Sequence, residues 1–254
     1  MVDILTKAGC YIAIIILGMV LRRIGFFKEE DFHVLSKIVI RITLPAALIA
    51  SGAGREIEPA MLTVTLLGFG GGVLYMVAAW LLNRKADKEQ QAFAILNTPG
   101  YNIGTFALPF TQSFLGGMGV LTTSLFDVGN AFVCLGGAFG VASAVKDGKG
   151  FDVKRIFKAL SRSVPFLVHL LVVTLNLLHL NLPEPVLSCA GIIANGNAFL
   201  AMLMIGVGFK LSGDFGQIGR IVRILAVRYG IAAMLALCYY FLLPFPLEMR
   251  QALV

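Results

Sequence analysis

The chain has 254 residues, of which 58% are apolar and only 14% charged, with a formal net charge of +7. A soluble domain carries about 25% charged residues and about 45–50% apolar ones, so this chain has too little charge to clothe a water-exposed shell. That excludes a soluble enzyme and an ordinary DNA-binding domain. Apolar stretches of the roughly 20 residues needed to cross hydrocarbon recur along it, and the fold class they imply is an all-α, polytopic helical membrane protein.

In chain order, the uncharged runs predict spans at Ile4–Leu21, Val34–Ala53 and Pro59–Leu82. A run of 56 residues follows, Gln90–Val145, in which Asp127 is the only charged side chain. It is too long for one helix and divides at Leu115-Gly-Gly-Met-Gly119, where glycines supply the turn. The fourth and fifth spans are therefore Gln90–Phe114 and Gly119–Ala144, and Val164–Leu180, Pro185–Phe209 and Ile221–Leu243 complete about eight. The fourth is unusual. Asn97-Thr-Pro-Gly-Tyr-Asn-Ile-Gly-Thr-Phe-Ala-Leu-Pro109 puts two prolines, two glycines and two asparagines at mid-membrane depth. Proline removes a donor and clashes with the preceding turn, which predicts a broken fourth helix. Broken helices survive in lipid where their freed groups line a cavity or meet a ligand, and a half-helix N-terminus suits an anion.

The 21 basic residues are sorted by side. The odd-numbered connections and their flanks hold sixteen: Arg22, Arg23, Lys28, Lys37, Arg84, Lys85, Lys88, Lys146, Lys149, Lys154, Arg155, Lys158, Arg162, Lys210, Arg220 and Arg223. The opposite side holds three, Lys7, Arg55 and Arg250, while Arg41 and Arg228 fall within spans. This positive-inside asymmetry predicts a multi-pass protein of the plasma or inner membrane with its N-terminus outside. It accounts for the net charge without a nucleic-acid partner. No basic n-region with a small-residue cleavage site precedes the first span, so no signal peptide is expected. Cys10, Cys134, Cys189 and Cys238 all lie within spans without metal-ligand spacing and read as buried small apolar residues, so neither metal nor cofactor is expected.

Transporters often contain inverted repeats. A shift of 154 residues lays Ser36–Gly54 over Ala190–Gly208, with Ile38/Ile192, Ala47/Ala201, Gly52/Gly206 and Gly54/Gly208 coinciding, and lays the first span over the sixth. A shift of 160 lays Gln90–Ala94 over Arg250–Val254. The expected organisation is an inverted five-helix repeat with the second copy incomplete. Residues 1–145 form the first repeat, 146–162 a cytoplasmic connection, and 163–254 a second repeat of three helices.

Several stretches carry a family resemblance: Leu17-Gly-Met-Val-Leu-Arg-Arg-Ile-Gly-Phe-Phe-Lys28, Leu35-Ser-Lys-Ile-Val-Ile-Arg-Ile-Thr-Leu-Pro-Ala46, Tyr101-Asn-Ile-Gly through Leu108-Pro109, Leu125-Phe-Asp-Val-Gly-Asn130, and Ala198-Phe-Leu-Ala-Met-Leu-Met-Ile-Gly206. In these the chain resembles the auxin efflux carrier family of permeases, plant auxin carriers and bacterial organic-acid permeases among them. The resemblance implies ten helices in two inverted repeats, similar to the bile acid–sodium symporter architecture, with the fourth and ninth broken and crossing at the substrate site. It implies movement of small organic anions by an elevator-like displacement of one domain. Asn102 matches the family's crossover asparagine in the fourth helix. The ninth and tenth helices have no counterpart in this sequence, so the second crossover asparagine is missing.

Candidate substrate-binding residues are accordingly Asn102 with its neighbours Thr98, Tyr101 and Thr105, and Asn195 and Asn197, which flank Gly196 in the seventh span and could equally serve as interhelical hydrogen-bonding groups. Asp127 is the only carboxylate within a span. Burying it ionised is costly, which makes it a candidate proton- or cation-coupling residue or one half of a structural ion pair. Asn130 shares its helix face. Arg41 is its candidate partner or an anion attractor, with snorkelling to the interface as the plainer reading. The glycines of Gly68-Phe-Gly-Gly-Gly72 lack the Lys-Ser/Thr of a phosphate loop and read as helix packing.

The expected function is a secondary transporter of small mono- or dicarboxylates, such as malate or malonate, with a passive channel or a sodium-coupled symporter as alternatives. The expected partners are the organic anion, the lipid bilayer and, as a candidate, a second copy of the chain. An intramembrane enzyme is not expected. Only one intramembrane acid exists, and neither a His-Glu-x-x-His nor a Gly-x-Ser-x-Gly motif occurs.

Overall fold

The computed structural model describes residues 2–54, 59–148, 152–210 and 218–254, which are helical, turn or coil, with no strand among them. Arg55 and Lys149, counted in the charge asymmetry, lie outside the described residues. The first span is α1 (Val2–Arg23). The second comprises α2 (Asp31–Ile38), a π-helical turn at Val39–Thr43 and α3 (Leu44–Gly52). The third is α4 (Thr63–Asn83). The fourth is α5 (Lys88–Asn97), a non-helical stretch from Thr98 to Asn102, a π-turn at Ile103–Ala107 and α6 (Leu108–Phe114). The fifth is α7 (Gly116–Phe132), a π-turn at Val133–Gly137 and α8 (Ala138–Asp147), ended by Gly148 at φ 66°.

The short α9 (Val153–Leu160), capped by Asp152 accepting from the Arg155 N–H, bends by 77° into α10 (Val164–Leu177). The seventh span is α11 (Glu184–Ala194) and α12 (Asn197–Gly208), the eighth α13 (Ile218–Leu242), and α14 (Leu247–Ala252) follows. Six helices among the described residues are long and apolar enough to cross a membrane, and α9 with α10 makes a seventh candidate. The predicted fourth span falls outside that set because it is broken where its prolines were expected to break it.

Two of the π-turns have a common cause. Val39–Thr43 runs into Leu44-Pro45, and Ile103–Ala107 into Leu108-Pro109. A proline ring has no N–H and clashes with the carbonyl four residues back; widening the preceding turn relieves both. The residues that follow the two widened turns, Leu44 and Leu108, are buried in one cluster with Leu48 and Val120. A Cβ on Gly104 would stand 2.8 Å from the Leu44 Cδ2, so a larger residue there would have to push that leucine methyl aside.

The chain separates into two compact units: residues 1–57, 102–124 and 168–212, and residues 58–101, 125–167 and 213–254. Each draws on both halves of the sequence, so the units are a different division from the repeats.

In the first unit, α2 packs on α12 and α3 on α11, so the second and seventh spans run antiparallel. They cross where both depart from α geometry, and there the Thr43 hydroxyl donates to the Asn197 Oδ1 at 2.9 Å. The α1 and α12 backbones touch at Gly18 and Gly206, where a Cβ on Gly18 would lie 2.6 Å from the Leu203 carbonyl oxygen. Small residues permit this approach, and in lipid it is dispersion between close-packed helices that holds them. The Arg22 guanidinium donates to the Val207 carbonyl at 2.7 Å, capping the end of α12; the Asn176 amide donates to the Gly52 carbonyl at 2.7 Å, capping the end of α3.

In the second unit, α4 and α7 cross at glycines. A Cβ on Gly68 would collide with the Phe126 carbonyl and one on Gly129 with that of Thr65, while Gly72 leaves room for Val133. Gly68 and Gly72 therefore serve packing, as their sequence context indicated, while a Cβ on Gly70 would meet nothing within 4 Å. Ala79, Ala92, Ala94, Ile95 and Ala142 let α4, α5 and α8 pack closely.

One expectation is corrected. Cys10, Cys134 and Cys189 are exposed in the isolated chain and Cys238 is half-buried; all four thiols are free. The outer surface of a membrane protein meets hydrocarbon, so a small apolar residue has no need of the interior.

Candidate functional site

The break in the fourth span arises from Pro99, which cannot donate to the helix, and Gly100, whose φ of 100° is open to glycine at little cost. It frees backbone groups that must find partners at membrane depth. In the second unit they do. Asn130, 2% exposed, clamps Tyr101 from both sides: its Oδ1 accepts from the Tyr101 N–H at 3.5 Å and its Nδ2 donates to the Tyr101 carbonyl at 3.4 Å. The Gly100 carbonyl accepts from the guanidinium of Arg228 on α13. Asn130 and Arg228 together thus supply partners for the Gly100 carbonyl and for both backbone groups of Tyr101.

Asn130 also binds its own helix neighbours. Its Nδ2 donates to the Asp127 Oδ1 at 3.1 Å, and its Oδ1 accepts from the Cys134 thiol at 3.2 Å. The one intramembrane carboxylate is therefore a single hydrogen bond from the clamp on the break. Asp127 is half-buried. Thr98 is buried, and Tyr101 packs edge-on against Tyr75 at 5.6 Å and Phe126 at 5.4 Å, with its hydroxyl donating to that of Tyr75 at 3.2 Å. Phe126 in turn meets Tyr239 at 6.3 Å. These rings pack around the Tyr101 side chain beside the break.

In the first unit, Asn102 opens the second half of the fourth span. Its φ of −89° and ψ of 67° lie outside helix, and its carbonyl accepts from the N–H groups of Phe106 and Ala107, both at 3.1 Å. Its side chain is exposed, and its Oδ1 accepts from the Thr105 hydroxyl. With Oδ1 so engaged, the group left to meet a ligand is the Nδ2 amide, a donor. The N–H groups of the following turn and the helix dipole add to the positive character of this end.

The remaining candidates are distributed differently. Asn197 is fully buried at the crossing with Thr43, an interhelical role, and its Nδ2 has no hydrogen-bond partner among the described residues. Asn195 is exposed at the turn between α11 and α12. Arg41 is exposed on the π-turn of the second span, within the first unit, whereas Asp127 belongs to the second.

Arg228, Tyr75 and Cys134 were given no role on sequence grounds. For Arg228 a signal existed, a cation inside an apolar span. Tyr75 has none, since only folding brings it to the break, whereas Cys134 stands one helical turn after Asn130.

Residues 10–149, more than half of the chain, match the family described as membrane transport protein. No curated protein and no solved structure matches. The matched stretch contains the broken span, Asn102, Asp127 and Asn130. With several apolar helices crossing hydrocarbon and a family match over that length, the chain belongs to the membrane transport proteins of the auxin efflux carrier type.

Proposed function

We propose that this transporter carries small organic anions, mono- or dicarboxylates, and binds them at the break of the fourth span. The observation that carries the reading is the exposed Asn102 beside a freed helix start, its Oδ1 already taken by Thr105 and its amide donor left for a carboxylate. Donors of this kind suit an anion and cost little reorganisation, because the break is held in advance by Asn130 and Arg228.

Asp127 couples transport to a proton or cation. Ionised, it accepts from the Asn130 Nδ2; neutralised, it holds that amide less strongly, and the same amide grips the Tyr101 carbonyl. Protonation of one carboxylate is thereby linked to the geometry of the break. An elevator movement between the two units is supported by their composition. The first takes spans one and two with six and seven, and the second takes three with eight, the grouping a five-span repeat requires. The excess of cations on the odd-numbered connections supports an outside N-terminus in a plasma or inner membrane.

Uptake of radiolabelled malate and malonate into proteoliposomes, compared with Asn102→Ala, tests the reading. Saturable carboxylate uptake that falls at least about tenfold in the variant is expected. Equal uptake of neutral and anionic solutes would overturn it.

A further inference from the structure

At the basic end of α1, beside the residues that follow α12, lies a cavity of about 520 Å³. Its walls are Ile16, Val20 and Phe209, each about half exposed. Its rim carries three cations, Arg22, Arg23 and Lys210. Arg22 is held in place by its bond to the Val207 carbonyl and stands 3.6 Å from Glu29, which also binds Lys210. Among the described residues, three positive groups there therefore face one carboxylate. Arg23 is exposed.

A hydrated anion gains nothing from walls of isoleucine, valine and phenylalanine, and an apolar ligand gains nothing from guanidinium groups. The occupant that satisfies both has an anionic head joined to an apolar tail, the head at the end of the span and the tail along it. That is the orientation of a lipid in a leaflet, and basic pockets between membrane helices take such headgroups.

We propose that this groove binds one anionic glycerophospholipid, its phosphate between Arg23 and Lys210 and an acyl chain along Ile16 and Val20. The site is independent of the substrate site and of the anion transported.

The test is native mass spectrometry of the purified full chain after incubation with equal amounts of phosphatidylglycerol and phosphatidylcholine of matched chains. Retained phosphatidylglycerol should exceed phosphatidylcholine by at least about fivefold, what one surface cation contributes. Arg23→Gln with Lys210→Gln should abolish that preference, while Lys154→Gln with Lys158→Gln, on the basic α9, should leave it intact. Val20→Trp keeps every charge and fills the groove; it should lose the retained lipid and so tests the site even where the charge variant fails to fold. Glycerol 3-phosphate should not displace the lipid. Equal retention of the two lipids, an unchanged preference in the Arg23/Lys210 variant, retention by Val20→Trp, or displacement by glycerol 3-phosphate, which marks a site for free anions, would each overturn the proposal.

Discussion

Thr43 and Asn197 are joined by a hydrogen bond across 154 residues, and 154 is the offset at which the two parts of the sequence superpose. Residues equivalent under a two-fold relation can touch each other only on its axis, so this bond stands where the axis of the expected repeat would pass in the first unit. Other contacts exchange partners about it. Gly18 against Gly206 corresponds to Val172 against Gly52, where a Cβ on Gly52 would lie 2.9 Å from the Val172 Cγ1. Arg22 capping the Val207 carbonyl corresponds, within one residue, to Asn176 capping that of Gly52. Antiparallel packing of the second and seventh spans is the arrangement an inverted repeat requires.

Removing the donor at the axis tests what the bond contributes. Thr43→Val leaves the fully buried Asn197 amide with neither bond satisfied and should cost about 1–2 kcal/mol, read as a lower thermal midpoint in detergent. Thr43→Val with Asn197→Leu should recover part of that loss, since two apolar groups leave nothing unpaired. A double variant no better than the single one would place the energy in packing.

Glycine substitutions should divide sharply by position. Gly206→Ala pushes a methyl into the Ile15 carbonyl and should lower the folded yield, with a cost of about 1–3 kcal/mol or more because the clash is with backbone. Gly230→Ala, with nothing within 4 Å of the added carbon, should be neutral or stabilise by up to about 1 kcal/mol through helix propensity. Fluorescence-detected size exclusion over a heating series reads both.

Asn130 and Asp127 should separate in their effects on transport. Asn130→Ala strips both partners from the Tyr101 backbone and should reduce uptake at least about tenfold at every pH. Asp127→Asn keeps a hydrogen-bonding partner of the same size and removes the charge, so uptake down a gradient should persist while its pH dependence disappears. A pH profile unchanged in Asp127→Asn would remove that residue from coupling.

Arg228→Leu should leave the Gly100 carbonyl without its donor and cost about 1–3 kcal/mol, with a loss of uptake larger than the loss of folded protein. Arg228→Gln retains a donor and should be milder. Equal behaviour of the two would assign Arg228 to helix packing through its stem.

Glu29 is held below the ordinary carboxylate range, first by its hydrogen bond to Lys210, then by the charges of Lys210 and Arg22. A carboxylate whose folded value is depressed contributes stability above its unfolded value and loses it as pH falls through the folded one. Acidification should therefore release Lys210 from Glu29, seen as a change in the Lys210 ammonium signal by nuclear magnetic resonance, and Glu29→Gln should abolish that acid-dependent component. The carboxylate is fully exposed, so the effect on overall stability is small.

The spans and the break in the fourth span were legible in the amino-acid order because each is local. Hydrocarbon thickness sets the length of an apolar run, and Pro99, Gly100 and Pro109 act on the few residues beside them. The position of Asn102 beside the break was legible through its neighbours for the same reason. The offset of 154 was legible as faint identity, yet nothing in it said that Thr43 and Asn197 touch; only an axis between two antiparallel spans makes equivalent residues neighbours. The clamp on the break is likewise tertiary. Asn130, 29 residues from Tyr101, and Arg228, 128 from Gly100, reach it because glycine crossings and helix packing bring α7 and α13 there. Composition and order thus determined that the chain is a membrane protein with one weakened span. Which side chains hold that span open was settled by packing, since a freed backbone group in lipid takes its partner from whatever helix the fold sets beside it.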